Sequence, residues 1–225
     1  MTTTMLAVDT ATRTVGLAVY DGLQVLGETV WHSRDFHTVE LIPAISELLT
    51  KARLSSADLG AIAVSIGPGS FTGLRIGMAA AKGICMARNL PLVGVPTLDA
   101  LASAQPVRQL PLAAVLQAGR SRLAVGWYRA EEQLWVSTQE IEVMAPKELS
   151  MQIKSPTIIC GELSADDRQI LARKHKNIIL TPPALSLRRP AFLAELGWKR
   201  WQDGDVDDPA SLSPVYLHTK DPIPG

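Results

Sequence analysis

Three short runs rich in aliphatic and β-branched residues open the chain: MLAVDT (5–10), TVGLAVY (14–20) and QVLGETVW (24–31). Polar or glycine-bearing turns, DTATR and DG, separate them, so the pattern predicts an antiparallel three-strand meander. From Phe36 to Ala52, Leu41, Ile45, Leu48, Leu49 and Ala52 recur with helical period. Pro43 fits that helix only in its first turn or at a kink. AIAVSI (61–66) is apolar enough for a strand buried on both faces, and TGLRIGMAAAKGICMARN (72–89) reads as a second helix. PLVGV (91–95) and PTLDALASA (96–104) add a strand and a third helix.

A meander followed by helix, strand, helix, strand and helix is the order of a ribonuclease H-like lobe, a mixed sheet flanked by helices. QPVRQLP (105–111) forms a polar join, after which the pattern restarts more weakly. LAAVLQA (112–118), RLAVGWY (122–128) and LWVSTQEIEV (134–143) are predicted strands, and APKELSMQI (145–153) a helix. TIIC (157–160), a helix over 163–174, NIIL (177–180) and a helix over 190–202 follow. The second half is thus a shortened repeat of the first. The fold class expected is α/β with two ribonuclease H-like lobes, 1–104 and 105–225, the second reduced, as in actin-like and sugar kinase-like ATPase folds. The proline-rich tail DPASLSPVYLHTKDPIPG is expected to run extended and pack back on a lobe.

Composition narrows the chemistry. The 225 residues carry 22 basic and 22 acidic side chains, so a free-standing nucleic-acid binder lacks its electrostatic basis, and RNA is expected only beside a partner. RQILARKHK (168–176) would suit a phosphate backbone, although a solvated helix face is the simpler reading. Cys85 and Cys160 lie in apolar runs and read as reduced core thiols. The opening MTTTMLAVDTATR has neither a basic leader nor a long apolar core, and no run reaches about 20 apolar residues. A cytoplasmic location without membrane contact is expected.

The segment SIGPGSFTGLRIG (65–77) follows a strand and opens a helix, where an anion could sit. Its glycines fit known cradles poorly: Gly67, Gly69 and Gly73 are spaced G-x-G-x-x-x-G, and Leu74 and Arg75 stand where a P-loop needs Lys and Ser or Thr. A nucleophile elbow fails too, because Pro68 and Thr72 flank Ser70 where glycines belong. Asp9 and Thr10, at the tip of the first strand, are the other candidates. In actin-like folds this hairpin faces nucleotide phosphates, and an Asp there can hold a metal-bound water, although a plain turn is the alternative. With Gly67 and Gly69 they form the candidate nucleotide site. Gly73, Gly77, Ala80 and Ala81 share one face of the second helix, where glycine costs up to about 1 kcal/mol relative to alanine. That face reads as a helix–helix contact with another chain, with packing on the chain's own sheet as the alternative. His37 opens the first helix alone, where a helix-start residue is a simpler reading than a metal ligand.

LAVDTAT (6–12), HTVELIPAISELL (37–49), GPGSFTGLRIG (67–77), PLVGVPTLDALA (91–102) and SPVYL (213–217) resemble the bacterial TsaB (YeaZ) family of tRNA threonylcarbamoyladenosine biosynthesis proteins. The resemblance implies a non-catalytic relative of the enzyme TsaD, which it binds and activates in threonylcarbamoyl transfer to adenosine 37 of tRNAs reading ANN codons. It implies contact through the first two helices, here His37, Leu41, Ala44, Ile45, Leu48, Gly73, Leu74, Gly77, Ala80 and Ala81. A homodimer in isolation through the same surface, association with TsaE and tRNA contact only through the complex are further implications. So is the lack of a tightly bound cofactor or metal, with ATP or ADP and magnesium confined to the junction of the complex. A nucleotide-binding small transferase or hydrolase acting on its own is the competing reading. QAGRSR (117–122) departs from the acidic residue and A-R-R-G-E that often stand at this point in the family, so roles resting on that acidic residue or that glutamate do not carry over by the resemblance.

Overall fold

The computed structural model describes residues 3–33, 37–119, 121–174 and 176–217, without the side chain of His37. The chain divides into two compact units, Met1–Ala100 with Arg188–Val215 and Leu101–Leu187 with Tyr216–Gly225.

In the first unit, β1 (Thr4–Asp9), β2 (Thr14–Tyr20) and β3 (Val25–His32) form the expected meander. After α1 (His37–Lys51), β4 (Leu59–Gly67) joins β1 in parallel; after α2 (Phe71–Arg88), β5 (Leu92–Pro96) joins β4, giving the order β3-β2-β1-β4-β5. Strand alternation sorts side chains by size. Leu6, Val8, Val15, Leu17, Val19, Ile62 and Val64 face α1 and α2. The small residues Ala7, Ala18, Ala61 and Ala63 face the opposite way, toward Ala191, Leu193 and Ala194 of α6 (Pro190–Gln202). At Gly197 of α6 an added Cβ would lie 2.6 Å from that of Ala63, so helix and sheet meet almost backbone to backbone. This corrects the expected division at 104/105: α6 completes the first unit, because its small face matches the alanine face of the first sheet.

The second unit repeats the topology. After α3 (Thr97–Ser103), β6 (Leu112–Gln117), β7 (Leu123–Glu131), β8 (Leu134–Ser137) and β9 (Glu142–Met144) form its meander. Then come α4 (Pro146–Gln152), β10 (Thr157–Gly161), α5 (Ala165–Ala172) and β11 (Ile178–Leu180), in sheet order β11-β10-β6-β7-β8 with β9 also on β7. The single strand expected over 134–143 is two strands, interrupted where the Thr138 N–H bonds the Trp127 carbonyl.

The tail begins at Asp208 with a turn, in which Leu212 N–H donates to Asp208 O at 2.9 Å, and further on Val215 N–H donates to Ile66 O at 2.7 Å; the residue just before it adds a contact to β5. The Asp207 N–H donates to Leu92 O and the Asp207 carboxylate accepts the Gly94 N–H, both at 2.8 Å, so one residue occupies the free edge of β5. Arg200 braces this contact through its bond to Gly94 O. An edge paired in this way no longer offers a row of free backbone groups to another chain. Pro43 lies well inside α1, on its exposed side, where the carbonyl that it leaves without an amide donor belongs to exposed Val39. Among the described residues no helix is long and apolar enough to cross a membrane.

Candidate functional site

The β1–β2 hairpin and the glycine segment do meet, at the carboxyl ends of β1 and β4. Ser70 N–H donates to Ala11 O at 2.5 Å, and the Ser70 hydroxyl caps α2 by accepting from Gly73 N–H. Each glycine of the segment answers to a close internal neighbour. Gly67, at φ +113, also has Val215 O 2.6 Å from where its Cβ would be, and Val215 N–H in turn bonds Ile66 O. A Cβ on Gly69 would strike Ala11 O, one on Gly73 would strike Thr10 O, and one on Gly77 would strike the Thr10 hydroxyl. That hydroxyl donates to Gly73 O at 2.8 Å.

Asp9 is committed as well. Its Oδ1 accepts the Ala11 N–H at 2.9 Å, and its Oδ2 accepts Nε of Arg188 at 2.8 Å. Asp9 is 3% exposed and Arg188 2%. The guanidinium also bonds the Thr12 hydroxyl at 3.1 Å and Thr14 O at 2.8 Å, so it fills the hairpin from within. Asp9, Thr10, Gly67 and Gly69 therefore do not fit a magnesium nucleotide: the carboxylate is neutralised by an internal cation, and the glycine gaps are filled by the chain's own carbonyls. This corrects their assignment as nucleotide-binding residues. Among the described residues no group of three His, Cys, Asp or Glu could hold a metal.

The residues expected at a contact surface turn inward in the same way. Leu41, Ile45 and Leu48 of α1 and Gly73, Leu74, Gly77 and Ala81 of α2 are buried in their own unit, and Ala44 and Ala80 are half-buried. The backbone that approaches the glycine face is thus the chain's own Thr10. Close packing lets Thr10 and α2 exchange a hydrogen bond, which corrects the reading of that face as a surface for another chain. His37 starts α1, but its side chain lies outside the described residues. What α1 and α2 present outward lies further round each helix: Val39, Ile42 and Pro43 on α1, Ala79, Gly83 and Met86 on α2. Met86 is 77% exposed and Val39 70%. Gly83 has nothing within 4 Å of its Cβ direction, so no internal contact explains a glycine there. The signal for this second face was available: α2 is apolar or small nearly all round, the pattern of a helix covered on both sides.

The remaining chemistry is quiet. Burial pushes the Cys85 thiol up to about 11 and the Cys160 thiol to about 12, so both stay protonated and unreactive at neutral pH. Arg168, from the basic stretch, is spent on Thr181 O and the Ser186 hydroxyl. His175, His218 and Arg120 lie outside the described residues.

Over residues 25–175 the sequence matches the family described as "TsaD: tRNA N6-adenosine threonylcarbamoyltransferase". It is 28% identical over 219 residues to the "tRNA threonylcarbamoyladenosine biosynthesis protein TsaB" of Bacillus subtilis, covering 95% of this chain and 93% of that one. The Escherichia coli protein of the same name is 33% identical over 147 residues, 64% of this chain and 63% of its own. An uncharacterized Mycobacterium tuberculosis protein is 31% identical over 98% of this chain and 94% of its own. Among solved structures, YeaZ from Pseudomonas aeruginosa superposes with a TM-score of 0.80 at 23% identity, over 96% of this chain and 100% of that one. The ethanolamine utilization protein EutJ of Carboxydothermus hydrogenoformans gives a TM-score of 0.53 at 16% identity, over 85% and 89%. The fold is the mixed α/β, actin-like arrangement of two lobes that the element order predicts. Given the family match and these relatives, the chain belongs to the TsaD-type family and, within it, to the TsaB/YeaZ group.

Proposed function

We propose that this chain is the non-catalytic accessory subunit of a tRNA threonylcarbamoyladenosine-forming complex, binding and activating a TsaD-type transferase that modifies adenosine 37 of tRNAs reading ANN codons. The names of the Bacillus and Escherichia relatives place those proteins in tRNA threonylcarbamoyladenosine biosynthesis, and family membership carries the pathway to this chain. The observation that carries the accessory role is the outward face of α1 and α2. Val39 and Ile42 of α1 and Met86 of α2 project into water, and Gly83, three positions before Met86, has open space over it. The internal Asp9–Arg188 pair supports the non-catalytic part, because a carboxylate held by a guanidinium is not available to position a metal-bound water.

In this reading the transferase docks on the α1–α2 face, and two copies of the chain pair through it when the transferase is absent. A TsaE-type ATPase joins the assembly, ATP or ADP with magnesium binds only at the junction, tRNA is met only through the complex, and the assembly works in the cytoplasm. Replacing Ile42 and Met86 by Asp tests the docking. Both side chains are more than half exposed, so the fold is expected to persist while co-purification with the transferase is lost. Undiminished co-purification, or nucleotide turnover by the purified chain alone, contradicts the proposal.

A further inference from the structure

The second unit carries a charge asymmetry that the docking face does not use. Strands β6, β10 and β11 are parallel neighbours, so the described residues leading into them, 104–111, 153–156, 173–174 and 176–177, gather at one end of the sheet. Those loops contain Arg108, Lys154, Arg173, Lys174 and Lys176 and no Asp or Glu. Two of the loops are tied together: the Asn177 side-chain amide donates to Lys154 O at 2.9 Å, and Thr157 N–H donates to Asn177 O at 2.8 Å. Arg108, Lys154, Arg173 and Lys176 are exposed and Lys174 is half-buried. Among the described residues none of the five is in an ion pair.

Helix dipoles explain only part of this. The C-termini of α3, α4 and α5 end here, each worth roughly half a negative charge, about −1.5 together. The β7–β8 hairpin reaches the same end with Arg129, Glu131 and Glu132, a net −1. Five formal cations exceed the sum by about two and a half. In a chain whose charges cancel overall, such an excess is a local device. The loops carry no Phe, Tyr or Trp, the side chains on which bases stack most strongly. A cationic surface of this composition suits the phosphate backbone, which positions a nucleic acid without reading its sequence.

We infer that the amino-end loops of β6, β10 and β11 form a phosphate-backbone contact by which this chain helps to hold tRNA on the assembled complex. Three neighbouring strands spaced about 4.8 Å apart span roughly 10 Å, the axial rise of about three nucleotides at 3.4 Å per phosphate. About three phosphates are therefore engaged, independently of base sequence. The inference rests on the proposed accessory role, because the complex is what brings tRNA to this surface.

The test replaces Arg108, Lys154, Arg173, Lys174 and Lys176 together by Gln, with a charge-preserving control in which each Lys becomes Arg and each Arg becomes Lys. Association with the transferase is measured by gel filtration, and tRNA binding by the assembled complex is titrated over a salt series. The Gln variant is expected to assemble normally yet bind tRNA at least tenfold more weakly at about 150 mM salt. Its slope of log K against log salt is expected to be shallower by about three, roughly one per lost phosphate contact, while the control keeps both. Normal assembly with tRNA affinity within twofold and an unchanged slope overturns the inference and leaves the accessory role standing. Weakened assembly at unchanged tRNA affinity also overturns it, assigning the surface to a protein. Failure of the unsubstituted chain to assemble refutes the accessory role and the inference with it.

Discussion

Replacing Arg188 by Met probes the strongest electrostatic commitment in the first unit. The guanidinium is buried and bonded to Asp9, Thr12 and Thr14 O, and methionine keeps much of its length while removing every donor. The Asp9 carboxylate would then stay buried with only the Ala11 N–H for company. Breaking a buried pair from one side costs about 3–5 kcal/mol, most of it the desolvation of the abandoned charge. For a chain of this size about 4 kcal/mol corresponds to a fall in Tm of roughly 8–16 °C. Calorimetric melting of the variant measures it, and the double variant with Asp9→Leu tells charge from packing. Removing both charges is expected to recover at least half of the loss, since a well-packed apolar replacement for a buried pair is often neutral. A loss below about 1 kcal/mol for Arg188→Met alone, or no recovery in the double variant, would refute the reasoning.

Three further outcomes follow from the same geometry. Asp207→Ala should cost about 1–2 kcal/mol by leaving the Gly94 N–H on the edge of β5 without its acceptor, read by urea denaturation. Stability should decline as pH rises from about 9 toward 11–12, because unfolded thiols release their protons near 9.0 while Cys85 and Cys160 in the folded chain hold theirs to about 11 and about 12. The unfolded state then binds fewer protons, a slope of about 1.4 kcal/mol per pH unit per thiol, and Cys85→Ala with Cys160→Ala should flatten it. The Ile42 and Met86 substitutions to Asp should abolish transferase binding while leaving the melting temperature within a few degrees.

Periodicity carried most of the architecture. The meander, the parallel additions and the repeated topology of the second unit all rest on strand alternation and turn residues that are local in sequence. What escaped was long-range. Arg188 meets Asp9 across 179 positions, and nothing in RRPAF signals that its arginine enters a hairpin at the other end of the chain. For the same reason α6 was placed with its sequence neighbours. Its small residues Ala191, Ala194 and Gly197 fit the alanine face of the first sheet, a match visible only once the strands are paired. On α2 the glycines at 73 and 77 were legible as a close approach, but not the identity of what approaches. Helical spacing locates a face; it does not say whether the neighbour is Thr10 or another protein. The interruption of 134–143 into β8 and β9 escaped because a run of β-formers does not mark where an edge strand leaves its partner.

A comparison of two glycines on one helix tests the central claim most directly. Gly83→Leu places a side chain where nothing lies within 4 Å, and Gly77→Leu drives one into Thr10. Binding to the transferase is measured by calorimetry, alongside the melting temperature of each variant. The account predicts that Gly83→Leu melts no lower than the parent, gaining up to about 0.8 kcal/mol of helix propensity, yet no longer binds. Gly77→Leu is predicted to unfold. Full binding by Gly83→Leu, or a well-folded Gly77→Leu that has lost binding, would contradict the account and return the contact to the glycine face beside Thr10.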